Sequence, residues 1–170
     1  MNEQSEKIAL LEQAEKFRAI YEDFTQSVRD LGNKAKGRAG SKIGNSFAHW
    51  IGGGHIRTDR DRLCEEFLEH VQSQLELFQT CLEGASPEEI TQACDLVADV
   101  MLQPIPVESN STTDLMKRAM RSQIKPLLPY LSRARLEQGM RQIQEGYRKR
   151  QLLPVEQELL REMDRLLARN

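Results

Sequence analysis

The chain has 170 residues, of which 39% are hydrophobic, 29% charged and only 5% aromatic, and its formal net charge is −2. One domain is the default at this length, and such a chain buries roughly 70% of its extended surface on folding. The N-terminus is polar and acidic, and no run approaches the roughly 20 apolar residues of a spanning helix, which argues against a signal peptide and a transmembrane segment. We therefore expect a cytoplasmic protein, although an effector exported without a cleaved signal would have the same composition.

The near-neutral total hides strong charge segregation. Residues 32–57 carry five basic and no acidic side chains, residues 58–113 two basic and twelve acidic, and residues 114–150 ten basic and three acidic. The acidic and basic blocks would either neutralise each other inside the molecule or present surfaces of opposite charge to partners.

The first thirty residues predict one long amphipathic helix from Ser5 to Leu31. Its apolar residues alternate steps of four and three, which is a heptad-like seam: Leu10, Ala14, Phe17, Tyr21, Phe24, Val28 and Leu31. The seam would pack within a bundle or form a homodimer, and the pattern leaves both open. Gly32-Asn33 predicts the end of this helix.

A basic, glycine-rich segment follows and holds six of the ten glycines and the only tryptophan. Residues 33–42 have no apolar side chain larger than alanine and predict a loop. Ile43, Phe47, Trp50 and Ile51 then fall on one face of a short helix. The triple glycine 52–54 predicts the end of that helix, and a second long helix is expected from Thr58 or Asp59.

The rest of the chain reads as further helices. Ser86-Pro87 with Glu89 forms a capping box at the start of a third helix, and the residues 103–113 form a linker. A fourth helix ends near Pro126, a fifth runs to about Tyr147, and Pro154 begins the last. We predict an all-α bundle of five to six helices, with a Gly-rich basic loop between helices 1 and 2. It forms a single domain (1–170), with a candidate subdivision into 1–107 and a basic 108–170.

The sequence argues against an enzyme and predicts no cofactor. Cys64, Cys81 and Cys94 lie in helical patterns and are interpreted as reduced core residues. The three residues that come nearest to a metal-ligand set have no standard ligand spacing, so no metal site is predicted: His55, Cys64 and His70. The glycine spacing is not that of a Walker loop, and no strand precedes it.

The favoured function is a non-enzymatic interaction or regulatory module that binds an acidic protein partner through residues 33–57. Phe47, Trp50 and Ile51 would be the anchors, because tryptophan is prominent at interface hot spots. Lys36, Arg38 and Lys42 would steer the acidic partner. In the alternative that Phe47 and Trp50 fold back into the core, these cations would form a solvated loop.

Two other functions stay open. A nucleic-acid-binding accessory protein would use residues 34–57 and 117–150 against phosphates, with these candidate contacts: Lys34, Lys36, Arg38, Lys42, Arg57, Arg133, Arg135, Arg141, Lys149 and Arg150. A peripheral membrane protein would insert the apolar face of 43–51 and place lysines at the headgroups.

Overall fold

The computed structural model describes the backbone of residues 3–38, 42–103, 111–147 and 151–169, and the side chains of 10–34, 59, 61–103, 118–146 and 151–169. These residues form six α-helices and no strand, as the all-α prediction requires. The elements are α1 (Glu3–Arg38), α2 (Lys42–Thr80), α3 (Pro87–Met101), α4 (Ser111–Ile124), a 3₁₀ helix (Lys125–Tyr130), α5 (Arg133–Tyr147) and α6 (Pro154–Arg169).

Helices α1 and α2 form an antiparallel pair. Phe24 of α1 stacks on Phe67 of α2 with ring centroids 4.2 Å apart. Nearer the start of α1, the Gln74 side-chain amide donates to the backbone carbonyl of Gln13 at 3.1 Å. Later residues of α1 therefore meet earlier residues of α2, which is the antiparallel arrangement that a short connection requires.

The seam predicted along α1 is filled by the same chain. Leu10, Ala14, Phe17 and Phe24 are buried, and they share one hydrophobic core with residues of the other five helices. The seam packs mainly on α2 and α3. The other three seam residues are only partly buried, so a homodimer through α1 stays a prediction: Tyr21, Val28 and Leu31.

Helix α3 lies at the centre of the bundle and begins with the predicted capping box. The Ser86 hydroxyl accepts from the Glu89 backbone N–H at 3.4 Å, and the Glu89 carboxylate accepts from the Ser86 backbone N–H at 2.9 Å. Gly84, with φ of 89°, ends the turn after α2 in a conformation that favours glycine. Six residues of α3 are buried: Ala93, Cys94, Val97, Ala98, Val100 and Met101.

The largest differences from the predicted helix boundaries lie at the join between α1 and α2. Helix α1 continues past Gly32 to Arg38, and α2 begins at Lys42 and runs through the triple glycine, so the connection shrinks to residues 39–41, outside the described residues. A glycine costs only about 1 kcal/mol per position relative to alanine in a helix. Extending an existing helix also avoids the nucleation cost, so glycines inside a long helix are weaker stop signals than the sequence suggests.

The proline-rich end of α4 becomes a 3₁₀ helix rather than a simple break. Lys125–Tyr130 contains Pro126 and Pro129, and its Leu127 and Leu128 are buried in the core. A short 3₁₀ turn suits prolines, which cannot donate the backbone hydrogen bonds of a continuing α-helix.

An arginine from α4 binds the C-terminal end of α3. Arg121 donates to the backbone carbonyls of Met101 and Leu102, the latter at 3.2 Å. Its Nε lies 3.8 Å from the carboxylate of Glu156, a residue of α6 that is only 1% exposed. Glu156 also accepts from the Leu153 backbone N–H at 3.0 Å and thereby caps α6. Arg121 of α4 thus contacts α6 through the buried ion pair and the end of α3 through its hydrogen bonds.

A second buried arginine, from α5, reaches the same end of α3. Arg135 donates to the Ala98 carbonyl at 2.8 Å, and its Nε lies 3.0 Å from the Asp99 carboxylate. Burial lowers the pKa of Arg135, while the carboxylates of Asp99 and Asp95 oppose that shift. Cations are favourable at a helix C-terminus, where carbonyls lack partners within the helix.

Candidate functional site

The residues predicted to bind a partner lie at the join between α1 and α2. Lys36 and Arg38 belong to the last turn of α1, and Lys42, Phe47, Trp50 and Ile51 to the first turns of α2. All six are outside the residues whose side chains the structure describes. Their predicted role and the alternative that Trp50 fills the core both stay predictions.

On either side of this segment, the described side chains of α1 and α2 are no longer buried in the core. Phe24 is the last buried residue described on α1, and Cys64 is the first on α2. Among the described side chains of residues 25–34, 59 and 61–63, none is buried. Lys34 and Asp59, the ones nearest the basic segment, are exposed. Among the described residues, the burial of side chains between α1 and α2 therefore decreases toward the basic segment.

A groove of about 350 Å³ lies between α1 and α2. It is lined by residues within 19–27 of α1 and 63–70 of α2. Its walls include Phe24 and Phe67, the stacked pair, together with Ile20 and Leu63 from the two helices. Ser27, a small residue, also lines the groove. The two phenyl rings are only 5% and 3% exposed, so most of their surface is already covered inside the core.

Charged side chains also line the groove. Asp23, Glu66 and His70 lie in its wall, and all three are exposed. Glu66 is 3.6 Å from Arg62, a surface ion pair that is largely screened by water. Further exposed carboxylates continue along α1 and α2: Glu22, Asp30, Glu65, Glu69 and Glu76. The two carboxylates that line the groove, Asp23 and Glu66, are thus accompanied by His70 in the wall and by Arg62, the ion-pair partner of Glu66.

A second cleft, of about 680 Å³, lies on another side of α1 and is also lined by Val100 of α3 and by Gln103, which follows that helix. Its α1 residues carry both charge signs, including Arg18, Arg29 and Glu22. Burial raises the pKa of Tyr21 in this cleft. Mixed charges and an open shape give this cleft no defined preference for a ligand class.

The cations predicted to contact nucleic acid do not all reach the surface. Arg135 is only 4% exposed and binds Asp99 and the Ala98 carbonyl. It therefore stabilises α3 and is not available to a phosphate, which corrects the sequence-based assignment. Arg133 is exposed but lies 3.1 Å from the Glu137 carboxylate, and Lys34 and Arg141 are exposed. Six of the set lie outside the described side chains: Lys36, Arg38, Lys42, Arg57, Lys149 and Arg150.

The three weak metal-ligand candidates are not brought together within the described residues. Cys64 is buried, whereas His70 is exposed on a different face of α2, and the His55 side chain lies outside the described part. No group of three His, Cys, Asp or Glu side chains suited to a metal ion occurs among the described residues. Burial, with a smaller contribution from Asp95, raises the pKa of the Cys94 thiol to about 12, so this thiol is a poor nucleophile at neutral pH.

Sequence reasoning missed the two buried arginines and Glu156. Arg121 sits between Met120 and Ile124 in the apolar stripe of α4, and a cation within such a stripe was the available signal. Glu156 stands third in α6, the position from which a carboxylate reaches back to the cap. Both signals were present in the sequence, but the ion pair itself joins residues that lie far apart along the chain, Arg121 and Glu156.

Within the described parts of the chain, none of the helices combines the length and apolar character needed to cross a bilayer. Comparison of the chain with protein-family models, curated proteins and solved structures finds no match.

Proposed function

We propose that this protein is a non-enzymatic interaction module that presents the basic segment 33–57 to an acidic partner protein. One observation carries the proposal: side-chain burial decreases among the described residues on both sides of a segment that has five basic and no acidic residues. The absence of buried side chains among the described residues 25–34, 59 and 61–63 supports a role for the segment between them in contacting a partner. The bundle would then act as a rigid support, with the cytoplasm as its proposed location.

Two sets of residues would have different roles in binding, one in charge steering and one in apolar contact. Lys36, Arg38 and Lys42 would raise the rate of encounter with an acidic surface, since complementary charge steers association. Phe47, Trp50 and Ile51 would supply the apolar contact that holds the complex, because buried aromatic anchors dominate interface energies. The nucleic-acid alternative is weakened by Arg135, which is buried and binds Asp99.

Trp50 provides an intrinsic reporter for the test. The protein would be titrated with poly-glutamate, as a simple acidic polypeptide, and separately with a short DNA oligomer, at low and at physiological salt. We expect the emission and anisotropy of Trp50 to respond to poly-glutamate and to lose that response in the K36E/R38E/K42E variant. A matched control, R118E/R161E/R169E, reverses three exposed charges elsewhere and should bind as the parent protein does.

Two outcomes would contradict the proposal. A response to DNA that is stronger than the response to poly-glutamate, at equal charge concentration, would favour the nucleic-acid function. Equal loss of binding in the control variant would show that overall charge, rather than the basic segment, controls binding.

A further inference from the structure

We infer that Ser122 of α4 is a site of phosphorylation, where Arg118 and Lys125 hold the added phosphate. The Ser122 side chain is exposed, and its hydroxyl donates to the Ala119 carbonyl at 2.8 Å. Arg118 lies four residues before it and Lys125 three residues after it, and both are exposed. Ile124, at the junction of α4 and the 3₁₀ helix, keeps a right-handed helical backbone. Residues three and four apart are neighbours on a helix surface, so the phosphate would meet a cation on either side.

The sequence around this serine carries charge of one sign. Positions 115–136 contain six Lys or Arg and no Asp or Glu. A carboxylate reaches this surface from another helix, because Glu158 of α6 lies 3.2 Å from Lys125 in an exposed ion pair. A phosphoserine carries about −1.5 to −2 charges at neutral pH and would compete with Glu158 for the Lys125 ammonium. Ser122 also lies in the last turn of α4, where the helix carbonyls disfavour an anion, so the two flanking cations are needed to hold it.

The same molecule contains a serine with the opposite surroundings, Ser73 of α2. Ser73 and Ser122 are the two exposed serines among the described side chains. At the same offsets, four residues before and three after, Ser73 has the exposed carboxylates of Glu69 and Glu76. Both carboxylates would repel a phosphate at position 73. The preference for Ser122 therefore comes from the flanking charges, since exposure and helical backbone are common to the two sites.

The phosphoryl group would come from ATP through a separate serine kinase. The Ser122 hydroxyl oxygen attacks the γ-phosphorus, and its bond to phosphorus forms as the bond to the ADP oxygen breaks. The hydroxyl proton passes to a base of the kinase. A kinase with an acidic substrate groove suits this site, because Lys117 and Arg118 precede the serine and Lys125 follows it. The last turn of α4 must open for the hydroxyl to enter the kinase, and helix ends open at low free-energy cost.

The ionisation of the phosphate tests whether the two cations hold it. Phosphoserine would be incorporated genetically at position 122 of the full chain or, as the matched comparison, at position 73. The phosphorus-31 chemical shift then gives the second pKa of each phosphate, which is about 6 without neighbours. Cations favour the dianion and lower this pKa, whereas carboxylates raise it. We expect the pKa at position 122 to be at least about half a unit below that at position 73.

Two controls show where this difference comes from. R118Q/K125Q removes both cations and should raise the pKa of a phosphoserine at position 122. Urea should bring the pKa values at positions 122 and 73 together, because the helical spacing of the neighbours is lost. Circular dichroism would establish that the variant folds; Arg118 and Lys125 are exposed, so their neutralisation should preserve the bundle.

The second measurement is phosphorylation of the parent protein by a serine kinase that selects basic residues on both sides of its target, with ATP and Mg²⁺. Peptide mass spectrometry would locate the phosphates. We expect Ser122 to be modified at least about tenfold faster than Ser73. R118Q/K125Q should slow the modification of Ser122, because it removes the charges that the kinase selects.

Either measurement can overturn the inference. Equal pKa values at positions 122 and 73 of the folded protein, or a pKa at position 122 that R118Q/K125Q leaves unchanged, would show that Arg118 and Lys125 do not hold the phosphate. A Ser122 that the kinase leaves unmodified, or modifies no faster than Ser73, would show that this serine is not a preferred acceptor. The inference does not depend on the basic segment 33–57, so poly-glutamate binding tests the proposed function separately.

Discussion

Removing the Glu156 carboxylate should destabilise the bundle strongly. Glu156→Ala leaves the Arg121 guanidinium, which is 10% exposed, without its buried partner. Breaking a buried ion pair in this way costs about 3–5 kcal/mol. The variant also loses the acceptor for the Leu153 backbone N–H, a cap worth about 1 kcal/mol. For a chain of this size, we expect the midpoint of thermal unfolding to fall by about 10 °C or more.

A double-mutant cycle separates the ion pair from the cap. Urea unfolding followed by far-UV circular dichroism would be measured for Glu156→Gln, Arg121→Met and the double variant. Glu156→Gln keeps a carbonyl oxygen that can accept from Leu153, so it should cost less than Glu156→Ala. Arg121→Met should be costly by itself, because it leaves the Met101 and Leu102 carbonyls without their donor.

The cycle has a result that would refute this reasoning. Residues in one buried ion pair show coupling energies of about 0.5–3 kcal/mol. We therefore expect the double variant to be more stable than the sum of the single effects predicts. If the effects of Arg121→Met and Glu156→Gln add to within about 0.3 kcal/mol, the two side chains are not coupled, and the description of Arg121 as the link between α3, α4 and α6 is wrong.

The remaining predictions concern glycines and cysteines. Gly32→Ala should raise the free energy of unfolding by about 0.5–1 kcal/mol, because Gly32 lies inside α1 and a Cβ there meets nothing within 4 Å; destabilisation in urea would show that α1 ends there. Gly139→Ala should gain less or lose stability, since its Cβ would lie 2.9 Å from the Leu102 side chain. Alkylation at mildly alkaline pH should modify half-buried Cys81 before Cys94, whose thiolate is about a thousandfold scarcer than that of a thiol with pKa 9.0; faster labelling of Cys94 than of Cys81, as peptide mass spectrometry would reveal, contradicts its burial. Because the folded pKa of Cys94 is raised from 9.0 to about 12, the unfolded chain loses this proton first, so its contribution to stability should be complete below pH 9 and be lost between pH 9 and 12. Cys94→Ala should then lose less stability over that interval in urea titrations, and an unchanged pH dependence would contradict the assignment.

Local patterns predicted the helices well where the signal and its partner are close in sequence. The seam of α1 and the capping box at Ser86 both depend on residues three or four positions apart; the capping box is present as predicted, and the seam is buried at four of its seven positions. The start of α6 at Pro154 also follows from a local rule. Periodicity and caps are properties of one helix, so a single sequence contains the information that specifies them.

The sequence was less informative where distant residues compete with a local preference. The glycines at positions 32 and 52–54 favour helix ends, yet α1 and α2 continue through them. Arg135 lies in a segment rich in cations and was predicted at the surface. It is instead buried in the bundle, where it binds Asp99 and the Ala98 carbonyl of a helix over thirty residues earlier. The groove between α1 and α2 likewise depends on how two helices align, which periodicity does not specify.

The two ends of α3 obtain their hydrogen-bond partners at different times during synthesis. Ser86 and Glu89 satisfy its first turn as soon as that stretch leaves the ribosome. The carbonyls of Met101 and of Leu102, the residue that follows α3, await Arg121, which is made 19 to 20 residues later. The Ala98 carbonyl already accepts from the Leu102 N–H, and Arg135 adds a second donor. At about 5–20 residues per second, the wait for Arg121 lasts a few seconds, and a nascent chain that stops at residue 107 never receives either arginine. Premature termination in the linker would therefore leave the C-terminal end of α3 without Arg121, although α3 would keep its packing on α1.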